Sequence, residues 1–447
     1  MSAATEPLLA GETPSTHSAS RRTVAYIASA LIVLVTAEII IAASWGHEAV
    51  TPVQPRISGW IGGLTGRLTY PVFLVALGVF IVCYAVLAWL SLRRPRLALT
   101  PRGVIWVLGI LQLIIFLGPI LISTDVFSYI AYARMGVLHG INPYLHGPHS
   151  ILHDRVWVFV GKDWAYAATA YGPLYTLLTY PLALLGFDGI VWAMKVMALG
   201  SSIGILWLTW RVAERRGLDG AAAALVVGAN PIYLLYGLGG AHNDLVMMLL
   251  MMVAVALVLA PRVSARREAA AGAALIAGAL IKVTAGAVLP FMVIARRKWP
   301  AVIGALAMAI VGALVAQAVF GFQGVDIFAA LSRDSAFVST DSFATEFAHL
   351  IGKPGVFPID HDLLKAVLVI IVAYLVWLTW RGYDWVAASG WALLAISVTT
   401  TWLLAWYILW PLPLAVVSKD RRLLYATLFV MLVYLIHQYS PLIAPVE

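Results

Sequence analysis

Cysteine is almost missing from this chain: Cys83 is the only one in 447 residues. One sulfur allows no internal disulfide and no thiolate zinc site, which argues against a soluble redox enzyme. Charge is scarce as well. Asp, Glu, Lys and Arg make up 11% of the residues, where a soluble domain carries about 25%. There is no P-loop and no G-x-G-x-x-G after a strand, so no nucleotide site is expected. No internal repeat appears, which counts against an inverted-repeat transporter. The apolar residues do not alternate in short stretches, as an outer-membrane barrel requires. Residues 1–22 lack the order and cleavage site of a signal peptide. They read as a disordered cytoplasmic tail, followed by a retained anchor at 24–44.

What is present is apolar: 62% of the chain is hydrophobic, in blocks of about twenty residues, each long enough to cross a bilayer. The fold class is an all-α polytopic membrane protein, with residues 23–447 as one transmembrane domain. The spans fall at 24–44, 71–91, 103–122, 187–210, 219–238, 245–261, 300–319, 363–380, 385–402, 403–417 and 423–440. Assigning alternate sides collects most of the basic residues on one side, including Arg21, Arg22, Arg215, Arg216, Arg296, Arg297 and Lys298. That bias places the N-terminus inside, so the net charge of +8 reflects topology rather than nucleic-acid binding. Most of the acids, Asp125, Asp163 and Asp244 among them, fall outside. Residues 268–295 carry basic clusters at both ends. A single span would strand one cluster, so two half-length helices meeting near Lys282 are expected, giving about 13 helices in all. Outer segments at 45–70, 123–186 and 320–362 are expected to carry short interfacial or re-entrant helices.

Asp125 stands where the uncharged run 103–122 ends and an aromatic, glycine-rich stretch begins. A carboxylate at that boundary can meet a lipid-borne substrate from one side and water from the other. Tyr129 and Tyr132 follow at helical spacing on the same face. Arg134 comes next, then the turn GINPY with Asn142 and Tyr144. Aromatics pack on sugar faces, and an Asp/Arg pair orients hydroxyls and phosphate. The bland alternative is a solvated acid at a helix end.

DVFSYIAYARMGVLHGINPY (125–144) resembles the D-x-x-x-Y…G-x-N-P-Y segment of the polyprenol-phosphomannose-dependent α-1,6-mannosyltransferases, which are glycosyltransferases of GT-C fold. YGPLY (171–175), GAHNDLVMM (240–248), ALIKVTAG (279–286) and WYILWPLP (406–413) extend the resemblance in order. It implies a GT-C-type bundle, a polyprenyl-phosphate-mannose donor and a glycan or glycolipid acceptor outside the cytoplasm. The family's acidic catalytic residue would fall on Asp125. The chemistry is consistent. A lipid-phosphate sugar carries its own leaving group, so the reaction needs a base for the acceptor hydroxyl and a cation for the departing phosphate. Inversion needs one carboxylate and no covalent intermediate. No cofactor is expected.

Lys282 and Arg134 are the cations expected at the donor phosphate, although Lys282 could instead pair with an acid such as Glu38, which itself needs a partner inside its span. Lys195 and Lys365 can snorkel to headgroups. His242, Asn243 and Asp244 offer hydrogen bonds to sugar hydroxyls, and Asp244 could equally cap a helix. Asp163, Trp164 and Tyr171 are candidates for substrate contact, with the membrane belt as the alternative for Trp164. Trp406, Tyr407 and Trp410 suit a lipid-chain groove or, again, the aromatic belt. His139, His146, His149 and His153 are too irregular in spacing for a metal site. A transporter or flippase of lipid-linked glycans is the competing class, and another lipid-phosphate sugar, arabinosyl or glucosyl, is the competing donor.

Overall fold

The structure is a computed structural model and describes residues 16–45, 50–93, 99–321 and 337–439. The expected tail up to residue 15 and residues 322–336 of the second outer segment lie outside this set. Among the described residues there is no strand. The helices, in chain order, are α1 (Thr16–Ile41), α2 (Tyr70–Arg93), α3 (Pro101–Leu117), α4 (Asp125–Leu138), α5 (Pro173–Thr179), α6 (Gly186–Arg215), α7 (Gly220–Gly228) and α8 (Asp244–Val258). They continue with α9 (Ala265–Ala279), α10 (Leu289–Arg296), α11 (Pro300–Phe320), α12 (Phe343–Leu350), α13 (Pro358–Trp380), α14 (Trp385–Thr399), α15 (Leu412–Val417) and α16 (Arg421–Tyr439). Six helical stretches are long and apolar enough to cross a membrane, and five shorter apolar helices accompany them. The protein is a polytopic membrane protein.

The short helices are where the structure departs from a simple count of crossings. Three hairpins stop short of a full span. The first is α7 and α8. Asp219 caps α7 by accepting from the Ala222 N–H at 2.8 Å. Asn230 then ends its regular ladder, with Oδ1 accepting from the N–H groups of Ile232 and Tyr233 at 3.0 and 3.2 Å. Pro231 between them has no N–H to donate. A π-helical turn, Tyr233–Leu238, carries the chain to the tip at 239–243. The fifteen residues of α8 rise about 22 Å, less than the roughly 30 Å of a hydrocarbon core.

The second hairpin is the expected pair at 268–295. Helix α9 ends at Ala279, and a 3-10 turn, Val283–Val288, leads into α10. Arg296 pairs with Glu268 at 2.6 Å, tying both roots together and leaving Lys282 at the tip. The third is α14 with the 3-10 turn Ala405–Leu409 and α15. The stretch 403–417 therefore forms one arm of a hairpin rather than a span. Its tip is opened by a strap at 337–339: the Ser339 N–H donates to the Thr401 carbonyl at 2.8 Å, and Ser339 Oγ accepts from the Leu403 N–H at 3.0 Å.

The roots share one end of the bundle. Arg216 pairs with Asp384, Arg215 donates to the Ala256 carbonyl, and Arg297 donates to the Trp380 carbonyl. Tyr383 and Trp391 both donate to Asp420. Helix α6, about 45 Å long, runs from this basic end to the tips.

Glycine sets two of the close approaches. A Cβ on Gly272 would collide with the Ala301 carbonyl, and one on Gly304 with the Ala269 carbonyl, so α9 and α11 touch backbone to backbone. Gly172 packs in the same way on the Leu280 carbonyl. Its N–H donates to the Ile281 carbonyl and that of Leu174 to the Leu280 carbonyl, both at 3.0 Å. YGPLY is thereby fastened to the tip that carries Lys282.

Helix α4 is enclosed by the protein: Asp125 through Ala133 are all buried, because α5, α6 and the 3-10 turn Pro181–Leu185 pack around it. One expectation from the sequence changes here. Lys195 does not snorkel. It is buried, and its ammonium donates to the Ser58 and Gly118 carbonyls at 2.6 and 2.5 Å while lying 4.1 Å from the Trp192 ring centre. Glu38 is exposed one turn before α1 ends. Lys365, by contrast, is exposed near the start of α13, as a snorkelling lysine would be.

Candidate active site

The tips of the second and third hairpins, the 164–172 loop and the first turns of α4 line one cavity of about 260 Å³, with the tip of the first hairpin behind it. Ser123 Oγ accepts from the Asp125 N–H at 3.1 Å and so fixes the helix start. Three residues before Asp125, Ile122 sits at φ 62°. That conformation is strained for a β-branched side chain and costs about 1–3 kcal/mol, a kind of strain that collects at functional sites. The Ile122 N–H is held by the Val50 carbonyl at 3.0 Å, and Lys195 holds Gly118 further back. The segment leading into Asp125 is thus anchored at several points.

Asp125 Oδ2 lies 3.8 Å from His242 Nδ1. Tyr129 Oη is 3.3 Å from the same nitrogen and donates to Asn243 Oδ1 at 3.4 Å. The His242 ring stacks on Trp406 with centroids 3.7 Å apart. Tyr129 in turn meets Tyr171 and Tyr175 edge to face, at 4.7 and 5.2 Å. On the other side, the Lys282 ammonium donates to both oxygens of Asp244, at 2.9 and 3.1 Å. Asp244 Oδ1 also accepts from Trp410 Nε1 at 2.6 Å. The ammonium lies 4.1 Å from the Tyr407 ring centre and 5.2 Å from that of Trp410. Asp125 and Lys282 both line the cavity.

Burial dominates the electrostatics. It pushes the Asp125 carboxyl up to about 6; Lys282 opposes the rise and Asp244 adds to it. Burial, reinforced by Lys282, holds His242 well below its ordinary value, so the imidazole is neutral at pH 7. Burial also keeps the Tyr129 and Tyr171 hydroxyls protonated well beyond their usual range. The result is one carboxylate able to titrate near neutrality, opposite one lysine, in a small aromatic chamber. Such a pair can take a proton from an alcohol and steady a negative group beside it.

Among the residues expected at the site, Asp125, Tyr132, Tyr171, Lys282, Trp406, Tyr407 and Trp410 line the cavity. Tyr129, His242, Asn243 and Asp244 form the layer behind it. Asp244 accepts from Lys282 and Trp410, and its helix start has no side-chain cap. Glu38 therefore yields to Asp244 as the partner of Lys282. Arg134 is turned elsewhere: its Nε donates to both oxygens of Asp154, at 2.8 and 3.0 Å, and His139 meets the same carboxylate at 2.8 Å. Burial opposes but does not outweigh these contacts, which hold Asp154 below the usual carboxylate range.

Asn142 and Tyr144 brace the loop. Asn142 donates to the Phe320 carbonyl at 2.7 Å and accepts from the Tyr144 N–H, and Tyr144 Oη donates to the Tyr171 carbonyl at 2.9 Å. Asp163 is exposed, while its neighbour Trp164 lines the cavity. Of the four histidines in this region, His139 is taken by Asp154 and His149 stacks on Tyr166. Trp402 and Thr284 line the cavity without having been singled out from the sequence. Thr284 sits inside the ALIKVTAG segment. Trp402 had no signal beyond its closeness to WYILWPLP.

The chain is similar to known proteins. The family described as "Alpha-(1->6)-mannopyranosyltransferase, N-terminal domain" matches residues 30–298. Alpha-(1->6)-mannopyranosyltransferase A of Mycobacterium tuberculosis is 28% identical over 378 residues, covering 75% of this chain and 69% of that protein. Alpha-(1->6)-mannopyranosyltransferase A of Corynebacterium glutamicum is 32% identical over 184 residues, covering 40% of this chain and 36% of that protein. The matched region of the family holds Asp125, the HND turn and Lys282.

Proposed function

The chain belongs to the alpha-(1->6)-mannopyranosyltransferase family, and on that premise we propose that it moves a mannosyl residue from polyprenyl-phosphate-mannose to a hydroxyl of an extracytoplasmic glycan or glycolipid. Asp125 is the general base and the configuration at the anomeric carbon inverts. The observation that carries this reading is the shared cavity: a buried carboxylate at the start of α4 and an ammonium at the α9–α10 tip face one aromatic chamber. The acceptor oxygen loses its proton to Asp125 as it attacks the anomeric carbon. The bond to the phosphate oxygen breaks on the opposite side, and the lipid phosphate leaves toward Lys282. No nucleotide is needed, because the lipid phosphate is the leaving group.

His242, stacked on Trp406 and neutral, limits where the Asp125 carboxylate can turn. Asp244 and Trp410 hold Lys282 in place. Tyr132 and Tyr171 offer aromatic faces to sugar, Tyr129 braces them from behind, and Trp406, Tyr407 and Trp410 wall the chamber where a prenyl chain would enter. The GT-C-type arrangement follows from the same reading, with the basic hairpin roots in the cytoplasm of a plasma-membrane enzyme and the tips near the outer face. In a flippase, cavity-facing charge would be spread toward two-sided access; here Asp125, Asp244 and Lys282 lie together at the tip end, apart from the ion pairs at the roots.

The test uses membranes containing the chain, synthetic lipid-phosphate mannose and a panel of short mannosides. Transfer from the lipid donor is expected, together with its loss in Asp125→Asn. Product formed from a nucleotide sugar alone would remove the donor class, and equal product from both proteins would remove the base.

A further inference from the structure

Thr284 Oγ1 is buried and has no hydrogen-bond partner among the described residues, yet Thr284 lines the cavity two residues from Lys282. Leaving a buried hydroxyl unpaired costs about 1–3 kcal/mol. Threonines in helices usually return the hydroxyl to a carbonyl one turn back. Thr379, Thr399 and Thr427 do so in this chain, at 2.8 Å each. Thr284 does not: it stands second in the 3-10 turn Val283–Val288, and the extended backbone of Lys282 before it (φ −148°, ψ 122°) leaves no helical turn behind it to supply a carbonyl. Ser128, Tyr175, His242 and Asn243 also carry orphaned polar atoms near Asp125, but they do not line the cavity. Thr284 does.

An ammonium has three N–H donors. Asp244 engages Lys282 through two oxygens and leaves a donor for the chamber. We propose that the Thr284 hydroxyl, beside that ammonium, is a ligand of the donor's phosphate. The two groups offer a neutral and a charged donor to one phosphoester. The inference rests on the lipid-phosphate donor reading and names a residue that the reading alone does not require.

Thr284→Val removes the hydroxyl at nearly constant shape, and Thr284→Ser restores it. Two probes are used with purified wild type and both variants: synthetic polyprenyl-phosphate-mannose for kinetics, and polyprenyl phosphate or inorganic phosphate for protection against heat. A hydrogen bond to a charged group predicts a rise of about 10- to 100-fold in the donor KM of Thr284→Val. The acceptor KM should be unchanged, Thr284→Ser should sit near wild type, and polyprenyl phosphate should protect wild type and Thr284→Ser but not Thr284→Val. A donor KM within twofold of wild type, or a rise confined to the acceptor KM, overturns the assignment. If Thr284→Val does not accumulate, Thr284→Ala replaces it with the same criteria. Wild type that transfers from the lipid donor while Thr284→Val is unaffected sinks this inference alone. Wild type that neither transfers nor is protected sinks the donor reading with it. Protection by inorganic phosphate only, still dependent on Thr284, keeps the phosphate seat and removes the lipid source.

Discussion

Asp125→Asn tests the base and its environment together. The substitution keeps size and removes one ionisable group, leaving Lys282, Asp244 and the aromatic walls intact. A general base contributes about 10²- to 10⁴-fold, so transfer should fall by that factor while donor KM changes little. The wild-type rate carries a second signature. With the carboxyl pushed up to about 6, roughly one-tenth of Asp125 is ionised at pH 5 and about nine-tenths at pH 7. The rate should climb about tenfold per unit toward pH 6 and level off above it, and the residual rate of the variant should lack that limb. Stability should move the opposite way. Folded Asp125 binds its proton more tightly than an ordinary aspartate near pH 4, so the folded state holds more protons between about 4 and 6. Stability therefore falls as pH rises through that window, and the burial penalty above it reaches about 3 kcal/mol. Asp125→Asn should resist heat better than wild type at pH 8 and no better near pH 4. The assays are radiolabelled mannose transfer and thermal unfolding in detergent across pH. A variant within tenfold of wild type, or one keeping the acid limb, would refute the assignment of the base. A variant less stable at pH 8 would refute the burial argument.

Lys282→Met should lose donor binding and also stability, by about 3–5 kcal/mol, because Asp244 is fully buried and would be left with Trp410 alone. Adding Asp244→Asn should restore the melting temperature but not transfer; a double variant as unstable as the single would show that the pair is not the cause. Arg134→Met should lower stability by about 3 kcal/mol with donor KM unchanged, since its partner is Asp154. Asp154 is held below the usual carboxylate range, so its contribution is full above about pH 4 and fades as pH falls further; a fall in donor affinity alone would place Arg134 at the phosphate instead. Gly304→Ala should force α9 from α11 and shift the tip bearing Lys282, cutting both stability and transfer, and a wild-type melting temperature would show that the helices separate without cost.

Much of this protein is written in its sequence, because apolar runs and their basic flanks follow the one-dimensional physics of a bilayer. The membrane class and the α9–α10 hairpin are legible there, the hairpin because two basic clusters cannot lie on opposite sides of one short run. What the chain order could not give is pairing at a distance. Only the tertiary structure decided that Lys282 finds Asp244 rather than Glu38, that Arg134 closes on Asp154, and that Lys195 is sealed by two carbonyls. Contacts between residues 20 to 137 positions apart leave no local pattern. The same holds for α15, where 403–417 is apolar enough for a span but is opened by hydrogen bonds from a distant strap. Thr284 is the sharpest case. Its residue type is ordinary, and its unpaired hydroxyl and its place on the cavity wall emerge only in the folded chain.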